Sequence, residues 1–243
     1  MSATVLEDDK HGPQLCYNVL ESLPPQCGGP DITDWDWTKV KSTTRNGTTW
    51  GAYDLVGTWD GKRFSLTAPA VATKQRARDQ GEEDGEGIPC RRPADPRKAT
   101  ENTYDQVFEV AESLPGYAGG WVTYLKGHPK TSEQRPDYRQ LAVTFRFTGD
   151  PERHRGALRD VWGGALCLTS AQRTMTELKR IQRKLEEDVT DQHVLSTGID
   201  ETKGRVDVEV ILATPDVRKR LDDLYGKGAT HVSGWLKPVT TGG

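Results

Sequence analysis

The chain has 243 residues, of which 34% are hydrophobic and 28% charged, with a formal net charge of -3. This slightly acidic balance argues against a nucleic-acid binder, which should carry a basic face. No apolar run approaches the roughly 20 residues of a membrane-spanning helix, and the length suits one large domain or two small ones.

The first residues, MSATVLEDDKHG, have no basic start, apolar segment or small-residue cleavage site. No signal peptide is therefore expected there. The segment 1–73 reads as all-β, with TVLED, QLCYNVL, WGAYDLVGTW and KRFSLTA rich in β-branched and aromatic residues. Asp60-Gly61 stands between two of these runs, and both residues tolerate the positive φ of a tight hairpin turn. Several short strands in so little chain predict a small closed or partly closed β-barrel, with an OB-like form as one version.

Residues 74–96 open on KQRARDQGEEDGEG, which is charged, Gly-rich and without apolar periodicity. It reads as a solvated linker. Beyond it the pattern changes to α+β. Val107, Val110, Ala111 and Leu114 recur at helical spacing, and GGWVTYL and RQLAVTFRFTG follow as strands. In the second, Leu141, Val143, Phe145 and Phe147 alternate with polar or small residues, which predicts one buried face. Asp150 and Pro151 suit a helix start and Gly163 a stop, and ALCLT is a further short strand.

The same order then returns. Thr174 and Glu177 fit a capping box ahead of Leu178, Ile181 and Leu185. HVLSTGID and RVDVEVILA are strands joined through ETKG, Thr214-Pro215 opens a last helix, and THVSGWLKPV is the last strand. Residues 97–169 and 170–239 thus both read α-β-β-α-β, a tandem pair of units. LRDVWGG, from Leu158, also aligns with LDDLYGK, from Leu221. By contrast, LESLPPQCGG near the N-terminus and AESLPGYAGG at 111–120 share letters but sit in different contexts, one in a β region and one at a helix end. That echo reads as coincidence.

Cys16, Cys27, Cys90 and Cys167 form no C-x-x-C pair and no zinc-type cluster with histidine. Buried free thiols and two disulfides both remain open, with three possible pairings. The five histidines are dispersed, and no nucleophile elbow, phosphate loop or dinucleotide fingerprint is present. No catalytic residue, metal ligand or cofactor is expected on this basis. In DITDWDWTKV, a strand would point Trp35 and Trp37 to one face and Asp34 and Asp36 to the other. Such rings stack on a sugar, dock a partner or fill a core. They are the ligand-binding candidates.

Leu15, Cys16, Glu21, Ser22, Pro24, Pro25, Gln26, Cys27, Gly28 and Gly29, with WDW and VWGGALC further on, carry a resemblance. The chain resembles a family of actinobacterial secreted proteins and lipoproteins of unknown function, with a motif of Leu-Cys followed by ESxPPQCGG. The resemblance implies a Cys16–Cys27 disulfide, and a second between Cys90 and Cys167 is expected to tie the linker's end to the first repeat. It implies an extracellular or cell-envelope location, whereas the leader-free start is equally in keeping with the cytoplasm. Fainter still, the last seventy or so residues look like the pro-regions of secreted bacterial serine proteases. The expected function is a non-catalytic binding module for an unknown protein or cell-wall partner. The alternative is an enzyme whose dispersed site lies in a cleft between barrel and repeat.

Overall fold

In the computed structural model the described residues are 1–20, 22–73, 90, 93–126, 136–187 and 194–239. The greater part of the expected linker, 74–89 with 91–92, lies outside them, as do His128 and His193. The architecture is mixed α+β with several small sheets. The chain divides into one unit of Met1–Gly81 with Trp235–Gly243 and another of Glu82–Gly234.

The first unit holds β1 (Ser2–Glu7), β2 (Gln14–Cys16), β3 (Ile32–Thr33), β4 (Thr43–Arg45), β5 (Thr48–Asp54), β6 (Gly57–Trp59), β7 (Phe64–Leu66) and β8 (Val71–Ala72). β1 runs antiparallel to β5 from Ser2 opposite Asp54 to Glu7 opposite Thr49. β2 flanks β1, while β4 and β8 pair with β5. Asn46 and Gly47, at φ 49° and 77°, turn β4 into β5. Two successive positive φ values are what a tight hairpin turn matched to strand twist requires.

β3, β7 and β6 form a separate sheet. Its hairpin closes at Asp60, whose Oδ1 accepts from the amides of Lys62 and Arg63 at 2.8 and 2.7 Å. The expected barrel needs correction, because among the described residues no sheet closes on itself. The run WGAYDLVGTW is one cause. It breaks at Leu55–Val56, where the Leu55 amide donates to Met1 O at 2.7 Å, so β5 and β6 enter different sheets. The Cys16–Cys27 disulfide, with Cα atoms 5.7 Å apart, ties the end of β2 to the far side of the Pro-Pro segment. Trp235 packs edge-on against Tyr17, with ring centroids 5.4 Å apart.

The second unit begins with α1 (Glu101–Ser113), β9 (Tyr117–Tyr124), β10 (Leu141–Thr148), α2 (Arg155–Val161) and β11 (Ala165–Ala171). It continues with α3 (Met175–Glu187), β12 (Val194–Asp200), β13 (Arg205–Val210), α4 (Pro215–Tyr225) and β14 (Thr230–Gly234). Three polar caps set helix starts. Thr100 and Thr103 cap each other at α1, Thr174 and Glu177 do so ahead of α3, and Thr214 accepts from the Val217 amide at α4. Each cap satisfies amides that have no partner within the helix.

β10 is the middle strand of its sheet, antiparallel to β9 and parallel to β11. Its helix-facing row of Val143, Phe145 and Phe147 is fully buried, but so is Ala142, and Thr144 is nearly so. The expectation of one buried face is therefore too narrow. Thr144 stands in register with Trp121 and Cys167, and Cys167 carries the disulfide to Cys90 on that second face. On the first face Gly120 leaves room for the Phe145 ring, since a Cβ there would lie 2.6 Å from it.

β13 is likewise central, antiparallel to β12 and parallel to β14. The two runs have separate cores. Trp162, Leu158 and the β10 phenylalanines fill one, while Leu178, Ile181, Leu185, Val206, Val208 and Leu221 fill the other.

Trp162 anchors the first core. It is 0% exposed, and its Nε1–H donates to Ala165 O at 3.0 Å. The adjoining Gly163 must lack a side chain, because a Cβ would lie 2.0 Å from Asp95 O. Trp162→Ala should cost about 3–5 kcal/mol, as truncation of a large buried ring does. Urea denaturation measures this, and a cost below about 1 kcal/mol would show that the site collapses around the loss.

Candidate functional site

Trp35 and Trp37 come together in the first unit, though not as the strand pattern predicts. Asp34 takes a left-handed φ of 60°, ending β3 after two residues. Asp36 then caps a short 3-10 helix over Trp37–Lys39. Its carboxylate accepts from the Thr38 amide at 2.9 Å and the Thr38 hydroxyl at 2.6 Å, with Lys39 Nζ at 3.2 Å. The Thr38 hydroxyl, then the Thr38 amide and Lys39, hold the Asp36 carboxyl below its ordinary range. Alternation across a strand thus plays no part in bringing the two rings to one place.

Tyr53 on β5 does that work. Its side chain is fully buried, with ring centroids 4.9 Å from Trp35 and 6.4 Å from Trp37. The two indoles meet edge-on at 5.2 Å, a favoured aromatic geometry. The Tyr53 hydroxyl donates to Lys41 O at 2.7 Å, and burial raises its pKa. Gly51 is required beneath it, since a Cβ there would lie 2.1 Å from the Tyr53 hydroxyl oxygen.

The indole N–H groups differ. Trp37 Nε1–H donates to the Glu7 carboxylate on β1. Trp35 Nε1–H is buried without an acceptor among the described residues. All four tryptophans of this region, Trp35, Trp37, Trp50 and Trp59, are partly buried, so none is wholly core and none stands free.

Trp35 also forms one wall of an open groove of about 290 Å³. Asp34, Asp36 and Lys39 line one side, and the segment from Leu66 to Ala70 lines the other. Trp37 does not line it. The groove therefore has an aromatic wall, an aliphatic rim with Pro69, two carboxylates, an ammonium and the Thr67 hydroxyl. Sequence reasoning reached Trp35 but missed Lys39 and the 66–70 side. The only available signal was Pro69, which stiffens the chain just past a hairpin strand.

Among the described residues, no histidine pairs with a buried carboxylate. His154 is buried against Phe147, with centroids 4.4 Å apart, and its Nε2 accepts from Arg153 Nε. His11 pairs with Asp8 at 3.1 Å in an exposed turn. Among the described residues, no group of three or more His, Cys, Asp or Glu side chains is placed to hold a metal ion. In the second unit, Tyr117 and Glu112 line a cavity of about 250 Å³ with Thr174 and Lys179. Burial, then Glu201 and Glu112, raises the Tyr117 pKa, so the phenol stays protonated.

The two indoles make a matched test of this geometry. Trp37→Phe should destabilise the protein by about 1–3 kcal/mol, because it strips a hydrogen bond from the Glu7 carboxylate. Trp35→Phe removes an N–H that has no acceptor and should cost clearly less. Urea denaturation of both variants checks the order, and equal losses would mean that only ring volume matters. In comparisons with known proteins, no protein-family model and no curated protein matches this chain.

Proposed function

We propose that this protein is a non-catalytic, secreted or envelope-associated binding module, and that the Trp35 groove holds a cell-wall glycan. The groove's composition carries this reading. A sugar ring presents an apolar face that suits an indole, and hydroxyls that suit carboxylate acceptors and an ammonium donor. Asp34, Asp36 and Lys39 supply those groups beside Trp35. A volume of about 290 Å³ sits at the small end of ligand pockets, in keeping with one or two sugar residues.

The compartment reading draws on the two disulfides, which persist in oxidising surroundings. Among the described residues no helix is long and apolar enough to cross a membrane. The ESLPPQCGG motif and its likeness to actinobacterial secreted proteins point the same way.

We also propose the division into a 1–73 binding domain, a 74–96 linker and two duplicated units, 97–169 and 170–239. Support comes from the shared element order and from a central strand, in each, that pairs antiparallel on one side and parallel on the other. Leu158 and Leu221 are both fully buried, each four residues before the aromatic that ends its helix. An experimental structure should superpose the two units strand for strand, with Trp162 on Tyr225. A mismatch in strand order would refute the duplication.

Capture on purified actinobacterial cell-wall sacculi tests the binding function. Thr67 is exposed on the groove, and Thr67→Trp should fill it without disturbing the Tyr53 cluster. The wild-type protein should co-sediment with sacculi, and the filled variant should not, with an unchanged melting temperature. Equal capture by both proteins would remove the groove from the function. Absence of capture by the wild type, alongside retention on a protein column, would replace the glycan with a protein partner.

A further inference from the structure

Within the second unit a separate cavity of about 360 Å³ is lined by Arg146, Arg173 and Lys203, with Ser170 and Gln172. No carboxylate lines it. Three positive side chains facing one space repel one another, and the arrangement requires an explanation.

Backbone carbonyls supply part of it. Arg146 Nη1 donates to Glu201 O at 3.2 Å and Thr202 O at 3.0 Å, and its Nη2 donates to Ser170 O at 3.2 Å. Arg173 donates to Gly228 O at 3.3 Å and Lys227 O at 2.9 Å. These bonds fix both guanidinium groups against the β12–β13 turn and the loop before β14. They do not neutralise them. A guanidinium has five N–H donors, so Arg146 keeps two and Arg173 three beyond those bonds.

The neighbouring carboxylates make their hydrogen bonds elsewhere, that of Glu201 with the Gly120 amide. Asp200 accepts from Thr202 Oγ1 and the Lys203 amide and faces Arg205, with a weaker electrostatic pull from Lys203, while Glu177 is held by the Thr174 cap, with a weaker pull from Arg173. Among the described residues no carboxylate pairs with Arg146, Arg173 or Lys203. A purely structural role would account for the two arginines as clamps on turns. It does not account for every charged side chain lining the cavity being a cation.

We propose that this cavity binds a phosphate group, held between the two pre-oriented guanidinium forks and the Lys203 ammonium. Forked, charge-assisted hydrogen bonds from arginine match a tetrahedral oxyanion. The phosphate is either the free ion or the terminal group of a larger phosphomonoester. The site belongs to the second unit and stands apart from the glycan reading of the first.

Titration calorimetry with inorganic phosphate and, separately, with glycerol phosphate tests it, at low salt and again at physiological ionic strength. The wild-type protein should bind at least one of them saturably. Tighter binding of glycerol phosphate would identify an attached group, and equal or tighter binding of the free ion would identify phosphate itself. Lys203→Met, at an exposed turn position, should weaken binding about tenfold, the loss expected for one charge-assisted contact. Arg173→Lys should also weaken it, because the charge remains but the fork is lost. Loss of both affinities with an unchanged circular dichroism melt confirms the site. Failure of both anions to bind the wild type overturns the proposal, as does wild-type affinity in Lys203→Met.

Discussion

The first unit depends on how Tyr53 is seated. Its ring is fully buried between β5 and the segment that follows β3, where it meets both Trp35 and Trp37. Its hydroxyl holds the chain at Lys41. A buried phenol without a partner would cost on the order of 1–3 kcal/mol, so the ring and its hydrogen bond specify one path for residues 34–41. That path places Asp34, Trp35, Asp36 and Lys39 along one side of the groove. Gly51 is part of the same constraint, because no larger residue fits under the Tyr53 hydroxyl. The groove is thus a consequence of core packing, with its aromatic wall shared between core and surface.

The second unit solves a different packing problem. Each run of five elements covers one face of a three-stranded sheet with two helices, and each builds its own core. Polar contacts join the runs. The Glu201 carboxylate accepts from the Gly120 amide at 2.6 Å, and Arg146 reaches the backbone carbonyls of Glu201 and Thr202 in the second run. Removing one partner of such a contact leaves a charged group without compensation, which is costly where it is buried. The cationic cavity arises at this seam.

The second unit was far more legible in the sequence than the first. Its signals are local. The Thr174–Glu177 cap, Thr214-Pro215 and the helical spacing of Val107 and Ala111 each act within one or two turns, and the structure uses each of them. β10 shows where local reading fails. Its alternation was visible, but the cover on its second face involves Trp121 and a disulfide from Cys90, both remote in the chain. In the first unit nearly every decisive contact is remote. Tyr53 with Trp35, Trp37 with Glu7 and Leu55 with Met1 are such pairings, and strands of two or three residues carry too little pattern to fix them. The aromatic candidates were found by residue type. The groove was not, because its second side comes from residues 66–70, where Pro69 marks a stiff segment but nothing marks a binding surface.

The most direct test of the account is a proton–nitrogen correlation spectrum of the protein titrated with soluble cell-wall glycan fragments. The groove reading predicts saturable shifts in the indole and backbone signals of Trp35 and in the amides of Asp36, Lys39 and Thr67. Signals from Trp162 and Leu178, in the separate cores of the second unit, should stay in place. Saturation with no movement at Trp35, or shifts confined to the second unit, would contradict it.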